Sequence, residues 1–549
     1  MTKSSPLLLL VASLCLVITV LAAFWIGLMP QRLMANLSRQ LKMEQGLILE
    51  ARSPRLGFDG GPVLKLQAVS MASDSGFDMT AREAQIELGY AALFGGKPAP
   101  LRVDFGAPVI TLDMAKAGAS SVGLAPEISV HDAVIRLKDS RNGNALALSD
   151  INGKLTLAET LKLDVSFLQN GNLTTLSADI ESAERFADAG SPADITLASR
   201  EKILTFSGRA KLKQGLELDG QMSLEGAEAQ TVLSWLGMPF QSLLGAGEIK
   251  LTSGVSTQGL DASLSKIVAQ IAGQDFAGQA TVKSGSDRLS VVADITMPSL
   301  SLLPDTNPLA SPWSEEPLPI IDLSVLNADI KLKTENLILR QHKWGPADLS
   351  VNMAANTASL SLKTKTTTLN VKASPTRPLL NLDLDLQSTT AEAKTLLGGL
   401  LGFDMLSGPI DLSFKATASG NTAAAIVSTL KGRVAFTSPK LDISGIDVAA
   451  QLATPGEGWQ TSATGTPAMG VAIDAQMTDG IATLAKADLI LPSGVIKLKG
   501  EVDLLRQAFD LSATPKGKVQ AIRGTWTRPL FAAEAGVAPT LRPVTAPAN

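Results

Sequence analysis

In Asn381-Leu382-Asp383-Leu384-Asp385-Leu386 every second residue is leucine and every residue between is polar. Only an extended strand sorts such a pattern onto two sides, because successive side chains point to opposite faces with a period of two. Comparable short alternating segments recur through most of the 549 residues. Strands of this kind have one dry face and one wet face, and something apolar must cover the dry one. A second sheet would make it a stable scaffold. A lipid would make it a lipid-handling groove.

The alternation is preceded by Leu7 to Leu28, an uncharged and mostly apolar run. Roughly 20 such residues cross the hydrocarbon core of a bilayer. The run outlasts the about 7–15 apolar residues of a cleavable signal peptide, and Leu21-Ala22-Ala23 has leucine where a small-x-small cleavage site begins. It is therefore expected to stay as a single N-terminal transmembrane helix. Cys15 lies inside it with Leu14 before it, a poor acylation site, and one cysteine cannot build a disulfide framework. Lys3 stands on one side of the run and Arg32, Arg39 and Lys42 on the other, so a plain positive-inside count puts the large domain in the cytoplasm. Those three cations also fall opposite Leu33, Leu37 and Leu41 on a helix, the pattern of a segment lying on lipid headgroups. A solvated stalk continuing the membrane helix would show the same spacing.

Composition closes several routes. Charged residues are 18% of the chain and the formal net charge is −4, so there is no basic excess for nucleic acid. His131 and His342 are the two histidines and neither stands in a metal-ligand spacing, which argues against a metal site or a histidine-based triad. Gly245-Ala246-Gly247 lacks the rest of a phosphate loop and reads as a turn, and Asp442 and Asp447 read as solvated strand-end residues. No catalytic residue, cofactor or metal is expected.

The length exceeds what one core normally holds. Pro304, Pro308, Pro312, Pro317 and Pro319 mark a break over 303–319, since proline cannot donate to a ladder. On either side the chain repeats itself. Ala227-Glu228-Ala229-Gln230-Thr231-Val232-Leu233 returns as Ala391-Glu392-Ala393-Lys394-Thr395-Leu396-Leu397, each followed by a glycine turn and a strand. Ile267, Val268, Ile271 and Gly273 then match Ile426, Val427, Leu430 and Gly432. Apolar positions at i, i+1 and i+4 before a glycine predict a second helix in both copies. Helices are thus expected near 227–237, 261–273, 391–401 and 421–432. A repeat by itself signals stacked architecture and not an activity.

Elsewhere strands dominate, among them Val63 to Leu66, Gln85 to Leu88, Pro108 to Leu112, Ile321 to Leu332, Leu360 to Val371 and Val495 to Leu504. Asn142-Gly143, Asn170-Gly171, Asp219-Gly220 and Asp479-Gly480 predict tight hairpins, hence antiparallel neighbours. About 30 strands at roughly 4.8 Å spacing would extend about 140 Å, and so long a sheet must curl or be covered. By parity Leu64, Leu66, Ile86, Leu88, Leu382, Leu384, Leu386, Ile496 and Leu498 share the apolar face, with Lys65, Asp383, Asp385 and Lys497 opposite. Aromatics are only 4% of the chain, with Tyr90 the single tyrosine, so aliphatic residues do the burying. Sandwich cores usually use aromatics to fill the space between sheets. A smooth aliphatic trough suits acyl chains, and an aliphatic core would have the same composition.

Several segments resemble the AsmA-like family. The apolar run, Pro62 to Ser70, Ala81 to Leu88, Leu93-Phe94-Gly95-Gly96 and Ala107 to Leu112 look like that family's amino-terminal module. Leu430 to Phe436 leading into Ile443 to Val448, and Ile522-Arg523-Gly524-Thr525-Trp526-Thr527-Arg528-Pro529, look like its carboxy-terminal segment. The Pro-rich stretch is a departure from the pattern. The resemblance implies a mainly β fold: a single N-terminal transmembrane helix followed by an elongated, curved antiparallel β-sheet groove with a few short amphipathic helices. It divides as an anchor (1–30), an N-terminal β-module (31–125), a first β-repeat (126–302), the linker (303–319), a second repeat with the family's C-terminal segment (320–530) and a disordered tail (531–549). It implies a Gram-negative inner-membrane protein with its large domain in the periplasm, against the plain charge count, since long domains translocate despite local charge. The implied role is guiding phospholipid to the outer membrane, with acyl chains, the inner membrane and an outer-membrane β-barrel as partners. A non-enzymatic scaffold for outer-membrane protein assembly is the alternative, and would need an exposed edge strand.

The topology is directly testable. Leu7 to Leu28 is expected to remain uncleaved with Gln31 onward in the periplasm; a C-terminal reporter active only in the cytoplasm would overturn it.

Overall fold

The computed structural model describes residues 28–533 except 45, 75, 95, 114–124, 139–144, 170, 213–215, 236–246, 260, 286–287, 303–312, 319–325, 377–378, 455–460, 516–517 and 526–527. The expected anchor, Leu28 apart, lies outside these, as do most of the Pro-rich stretch, the Asn142-Gly143 turn and residues 534–549. Among the described residues no helix is long and apolar enough to cross a membrane. The protein is mainly β, 70% strand with few helices. It divides into two compact units, Met1–Leu289 and Ser290–Asn549, so the division falls ahead of the Pro-rich stretch.

The first unit begins with helix α1 (residues 28–44). Strands β1 (Ile48–Phe58), β2 (Pro62–Ala72) and β3 (Phe77–Leu88) follow as an antiparallel meander. Next come β4 (Pro100–Gly106) and β5 (Val109–Asp113), two halves of one course broken where Ala107 takes φ 49° before Pro108. Both halves pair antiparallel with β3 and parallel with β6 (Glu127–Lys138). The expectation that successive strands pair antiparallel is corrected here, since β6 runs parallel to the two strands before it. From β6 onward every strand to Gln274–Ser284 pairs antiparallel with the next in sequence order. In the second unit the strands from Leu326–Leu339 to Arg528–Ala533 also pair antiparallel in chain order, passing over three strands that form a separate sheet. This small sheet consists of Leu406–Ser407, Leu441–Ile446 and Thr461–Ala468. Residues 531–533, placed in the expected disordered tail, are instead the end of the last strand, where Phe531 is buried.

Simple parity is broken repeatedly and in step. In β2 the buried set is Leu64 and Leu66, then Val69 and Met71; in β3 it is Met79 and Ala81, then Ala84, Ile86 and Leu88. Each strand gains one residue at the same level, with Ser53 at φ 49° and Ala68 at φ 47° in the bulges of β1 and β2. A bulge adds one unpaired residue, so the apolar set changes from odd to even without changing face. The same device explains a misread helix. Asp261–Ile271 is a strand, not the expected helix over 261–273, because Lys266 at φ 49° sits in a bulge. The bulge spaces buried or half-buried Leu264, Ile267 and Ala269 by three and then two, which imitates helical periodicity.

Among the described residues six α-helices accompany the sheets: α1 and the short α2 (Ala183–Asp188), α3 (Ala229–Trp235), α4 (Ala393–Leu401), α5 (Ala423–Ser428) and α6 (Val448–Ala453). The repeated Ala-Glu-Ala segments form α3 and α4. The counterpart of α5 is α2. Ser182 Oγ accepts from the Arg185 N–H at 3.3 Å and Thr422 Oγ1 from the Ala425 N–H at 3.0 Å, so both start on a hydroxyl N-cap. Gly398 and Gly399 lie inside α4, within the helix expected over 391–401: a Cβ there would stand 2.4 Å from His342 Nε2 and from Trp344 Nε1 respectively. The helix ends at Gly402, φ 67°. Gly432 is likewise no helix cap but a strand residue, and Gly220 is no turn. Gly220 faces Gly208 within the sheet, where a Cβ would meet Ser207 O at 2.4 Å. Asp479-Gly480 does form the expected hairpin, with φ 51° and 76°.

The α1 leucines close the first core. Leu33, Leu37 and Leu41 are buried with Leu64, Leu66, Ile86, Leu88 and residues as far as Ala125. Leu37→Ala should therefore cost about 2–4 kcal/mol, the range for a buried leucine that leaves a cavity. Arg39→Ala, on the solvent side, should stay within about 0.5 kcal/mol. Denaturant unfolding of the two variants checks the contrast.

Candidate functional site

The apolar set of each strand stands beside that of the next in near-perfect register. In the first unit Leu56, Leu64, Ile86, Val103, Ile128, Leu155, Leu163, Ala178, Ile195, Phe206 and Met222 are successive cross-strand partners. At about 4.8 Å per strand the row runs on the order of 48 Å. In the second unit Leu332, Leu349, Leu362, Leu369, Leu386, Phe414, Val434, Ala475 and Leu484 form such a row. Neither row contains a charged or hydrogen-bonding side chain.

Cover over these rows is uneven. Under α1 the first row is closed, with only a residual hollow of about 20 Å³ among Leu37, Leu41, Leu66 and Ile86. Beyond it Leu155, Leu163, Ala178, Ile195 and Met222 are half-buried. Two helices dock at opposite ends of those strands. Phe186 of α2 packs with Ala193 and Ala210, while Val232 and Trp235 of α3 pack with Leu224 and Ile249. Trp235 is anchored by Nε1–H donating to Thr174 Oγ1 at 3.2 Å and by its carbonyl accepting from Gln169 Nε2 at 2.7 Å. In the second unit α4 places Leu396 beside Leu386, Ile410 and Leu412. At the other strand ends α5 places Ile426 beside Ala416, Ala418 and Leu430. Between these rims Leu332, Leu349, Leu369, Phe414, Val434 and Leu484 are half-buried. Leu452 of α6 and Leu441 and Ile446 of the small sheet close the row's far end over Ile496 and Ala513. Each unit thus has a sealed stretch and a half-open one.

Two ion pairs lie on the opposite face. Lys415 Nζ lies 3.2 Å from Asp385 Oδ2, and Arg433 Nε donates to Asp474 Oδ1 at 2.8 Å. The Gln387 hydrogen bond, reinforced by Lys415, holds Asp385 below the ordinary carboxylate range, and Arg433 does the same for Asp474. Depressed carboxylates stabilise the fold above their ordinary pKa and lose that contribution as pH falls through the folded value. Both pairs are open to water, so the contribution is small.

The expected residues fall in three places. Leu64, Leu66, Ile86 and Leu88 are 0–5% exposed and belong to the sealed core under α1, not to an open trough. Leu386 and Ile496 are buried and Leu498 half-buried in one cluster, and Leu384 is half-buried in the neighbouring cluster on α5. Leu382 is half-buried and pairs with Ala373 and Ala418. Lys65, Asp383 and Lys497 are exposed and Asp385 half-exposed, on the other side. Arg32, Arg39 and Lys42 are exposed on α1, opposite its leucines as the spacing predicts. Those leucines cover the sheet, however, which corrects the reading that they dip into lipid. The half-open stretch around Leu163, Leu176 and Leu197 was missed, although Leu161-Lys162-Leu163-Asp164-Val165 carries the same alternation as Asn381 to Leu386.

On the polar side a hollow of about 220 Å³ is lined by Glu83, Asp104, His131 and Asp132, with His131 Nε2 3.6 Å from Asp104 Oδ1. Among the described residues no group of three or more His, Cys, Asp or Glu is arranged to hold a metal. Comparison with known proteins finds no matching family model, no matching curated protein and no matching solved structure.

The half-open and sealed stretches should respond differently to a charge. Leu384→Glu can swing its carboxylate toward water and should leave a folded protein. Ile410→Glu, at a residue 1% exposed, buries an unpaired charge and should cost on the order of several kcal/mol. Circular dichroism with thermal melts distinguishes them; equal loss of folding in both would mean the second face is closed throughout.

Proposed function

We propose that the chain guides phospholipid between the inner and outer membranes of a Gram-negative envelope, held in the inner membrane by Leu7 to Leu28 with its large domain in the periplasm. The observation that carries this reading is the uncharged, mostly aliphatic row in each unit, partly open between helical rims. An acyl chain laid against it leaves water at a gain of about 0.8 kcal/mol per CH₂. Headgroups remain wet at the open side. Because neighbouring positions are chemically alike, no one of them holds the chain tightly, and sliding from strand to strand meets small barriers. The resemblance to AsmA-like proteins supports the same reading. Guidance of this kind uses no catalytic group, cofactor or metal.

Organic extracts of the gently purified protein should yield phospholipid by mass spectrometry. In cells, Leu384→Glu should accumulate normally yet disturb outer-membrane lipid composition, because a carboxylate on the same face, beside the row at Leu386, interrupts the apolar path. A variant that folds, retains lipid and leaves the outer membrane unchanged would remove this position from the path. A wild-type protein free of lipid would remove the function.

A further inference from the structure

Residues Trp313–Leu318, between two stretches outside the described residues, lie across the α5 rim of the second unit. The Trp313 Nε1–H donates to Leu504 O at 2.8 Å. The Ala424 N–H donates to Ser314 O at 3.1 Å and the Leu318 N–H to Asn421 O at 2.8 Å, and Pro317 makes an isolated antiparallel bridge with Thr422. Asn421 follows the strand Pro409–Gly420 and Leu504 follows Gly494–Asp503, with three paired strands between them. Ser314 to Leu318 run antiparallel along Ala424 to Asn421 and bend at Glu316, whose N–H donates to Ser314 Oγ at 3.1 Å; the Trp313 indole alone reaches on to Leu504.

The two places it is fastened to, α5 and Leu504, share one apolar cluster, in which Ile426 and Leu504 pack with Leu384 and Leu430. The fastening is sparse. Ser314, Glu315, Glu316 and Pro317 are exposed. Pro317 has no N–H to donate, so its bridge cannot grow into a ladder. A segment held by few hydrogen bonds and little buried area opens long before the sheet it rests on.

We infer that Trp313–Leu318 is a releasable strap gating lateral access to the second apolar face: fastened, it closes the α5 side; released, it admits an acyl chain to the patch around Leu384. The inference rests on the lipid-guiding reading and adds to it where a chain enters. Trp313 is the latch, since it fixes the end of the strap farthest from the Pro317–Thr422 bridge.

The test locks the strap in the full-length protein. Pro317→Cys with Thr422→Cys, in a Cys15→Ala background, places two thiols on bridge partners whose Cα atoms are about 4.5–5.5 Å apart, within disulfide range. Because Thr422 also caps α5, oxidised and reduced forms of this one protein are compared. Both are mixed with phosphatidylethanolamine vesicles whose acyl chains carry a photoactivated diazirine, and labelled peptides are read by mass spectrometry. Oxidation should cut labelling of Leu379–Glu392 at least tenfold and leave Asn172–Ile180 of the first unit unchanged, with reductant restoring it. Trp313→Phe removes the indole N–H and keeps a ring, and should speed labelling of Leu379–Glu392 about fivefold, the effect of one hydrogen bond. Failure of the disulfide to form, or labelling of Leu379–Glu392 that ignores the lock while Asn172–Ile180 is labelled, overturns the strap. No labelling of either strand in the reduced protein overturns the lipid-guiding reading and the strap with it.

Discussion

Everything in this fold depends on keeping one face of a many-stranded meander apolar while the strands twist. A one-residue slip in any strand would turn its leucines to water and its lysines inward. The chain prevents this by placing its bulges at matching levels in neighbouring strands. Where β1 and β2 each carry a left-handed residue, Ser53 and Ala68, β3 shifts between Ala81 and Ala84. The bulges at Lys266 and Thr390 play the same part farther along. A left-handed conformation costs a non-glycine residue about 1–2 kcal/mol. That cost is offset by keeping whole strand ends on the correct side, each worth several buried side chains.

Cover is distributed as the register demands. A sheet face buries its apolar side only against another layer. Here the layer is complete at α1 in the first unit and at α6 with the small sheet in the second, and is reduced to rim helices elsewhere in each. The rims dock where the sheet is smallest. Phe186 meets Ala193 and Ala210 beside the Gly208–Gly220 pair, and Ile426 meets Ala416 and Ala418 beside Gly432. Missing side chains let a short helix sit low on the strands. A six-residue helix has little stability of its own, so this contact, with a hydroxyl cap, is what makes α2 and α5 helical.

Much of this was legible in sequence. Alternation gave strand identity and face correctly at Leu64, Leu384 and Ile496, and the Ala-Glu-Ala repeat located α3 and α4. What escaped were effects that depend on a neighbouring strand. No local rule marks Lys266 as a bulge, so Asp261–Ile271 imitated a helix. Gly220 carries a turn signal yet serves a close approach to Gly208, visible only once the two strands are paired. Leu64 and Leu384 sit in equally regular patterns, and whether a helix covers them is decided by α1 and α5, elsewhere in the chain. Register was therefore easier to read than cover.

Cover is also what separates a scaffold from a conduit. Soluble monomers seldom leave contiguous apolar patches beyond a few hundred Å² without a use for them. The half-buried rows here are mostly aliphatic, regular and poor in the aromatic residues that fix a specific partner at a protein interface. A partner with shape would find few pockets to fill. A flexible hydrocarbon chain needs none, and loses little by moving one strand along. The physical character of the face, continuous and undifferentiated, thus favours an occupant that is itself continuous and undifferentiated.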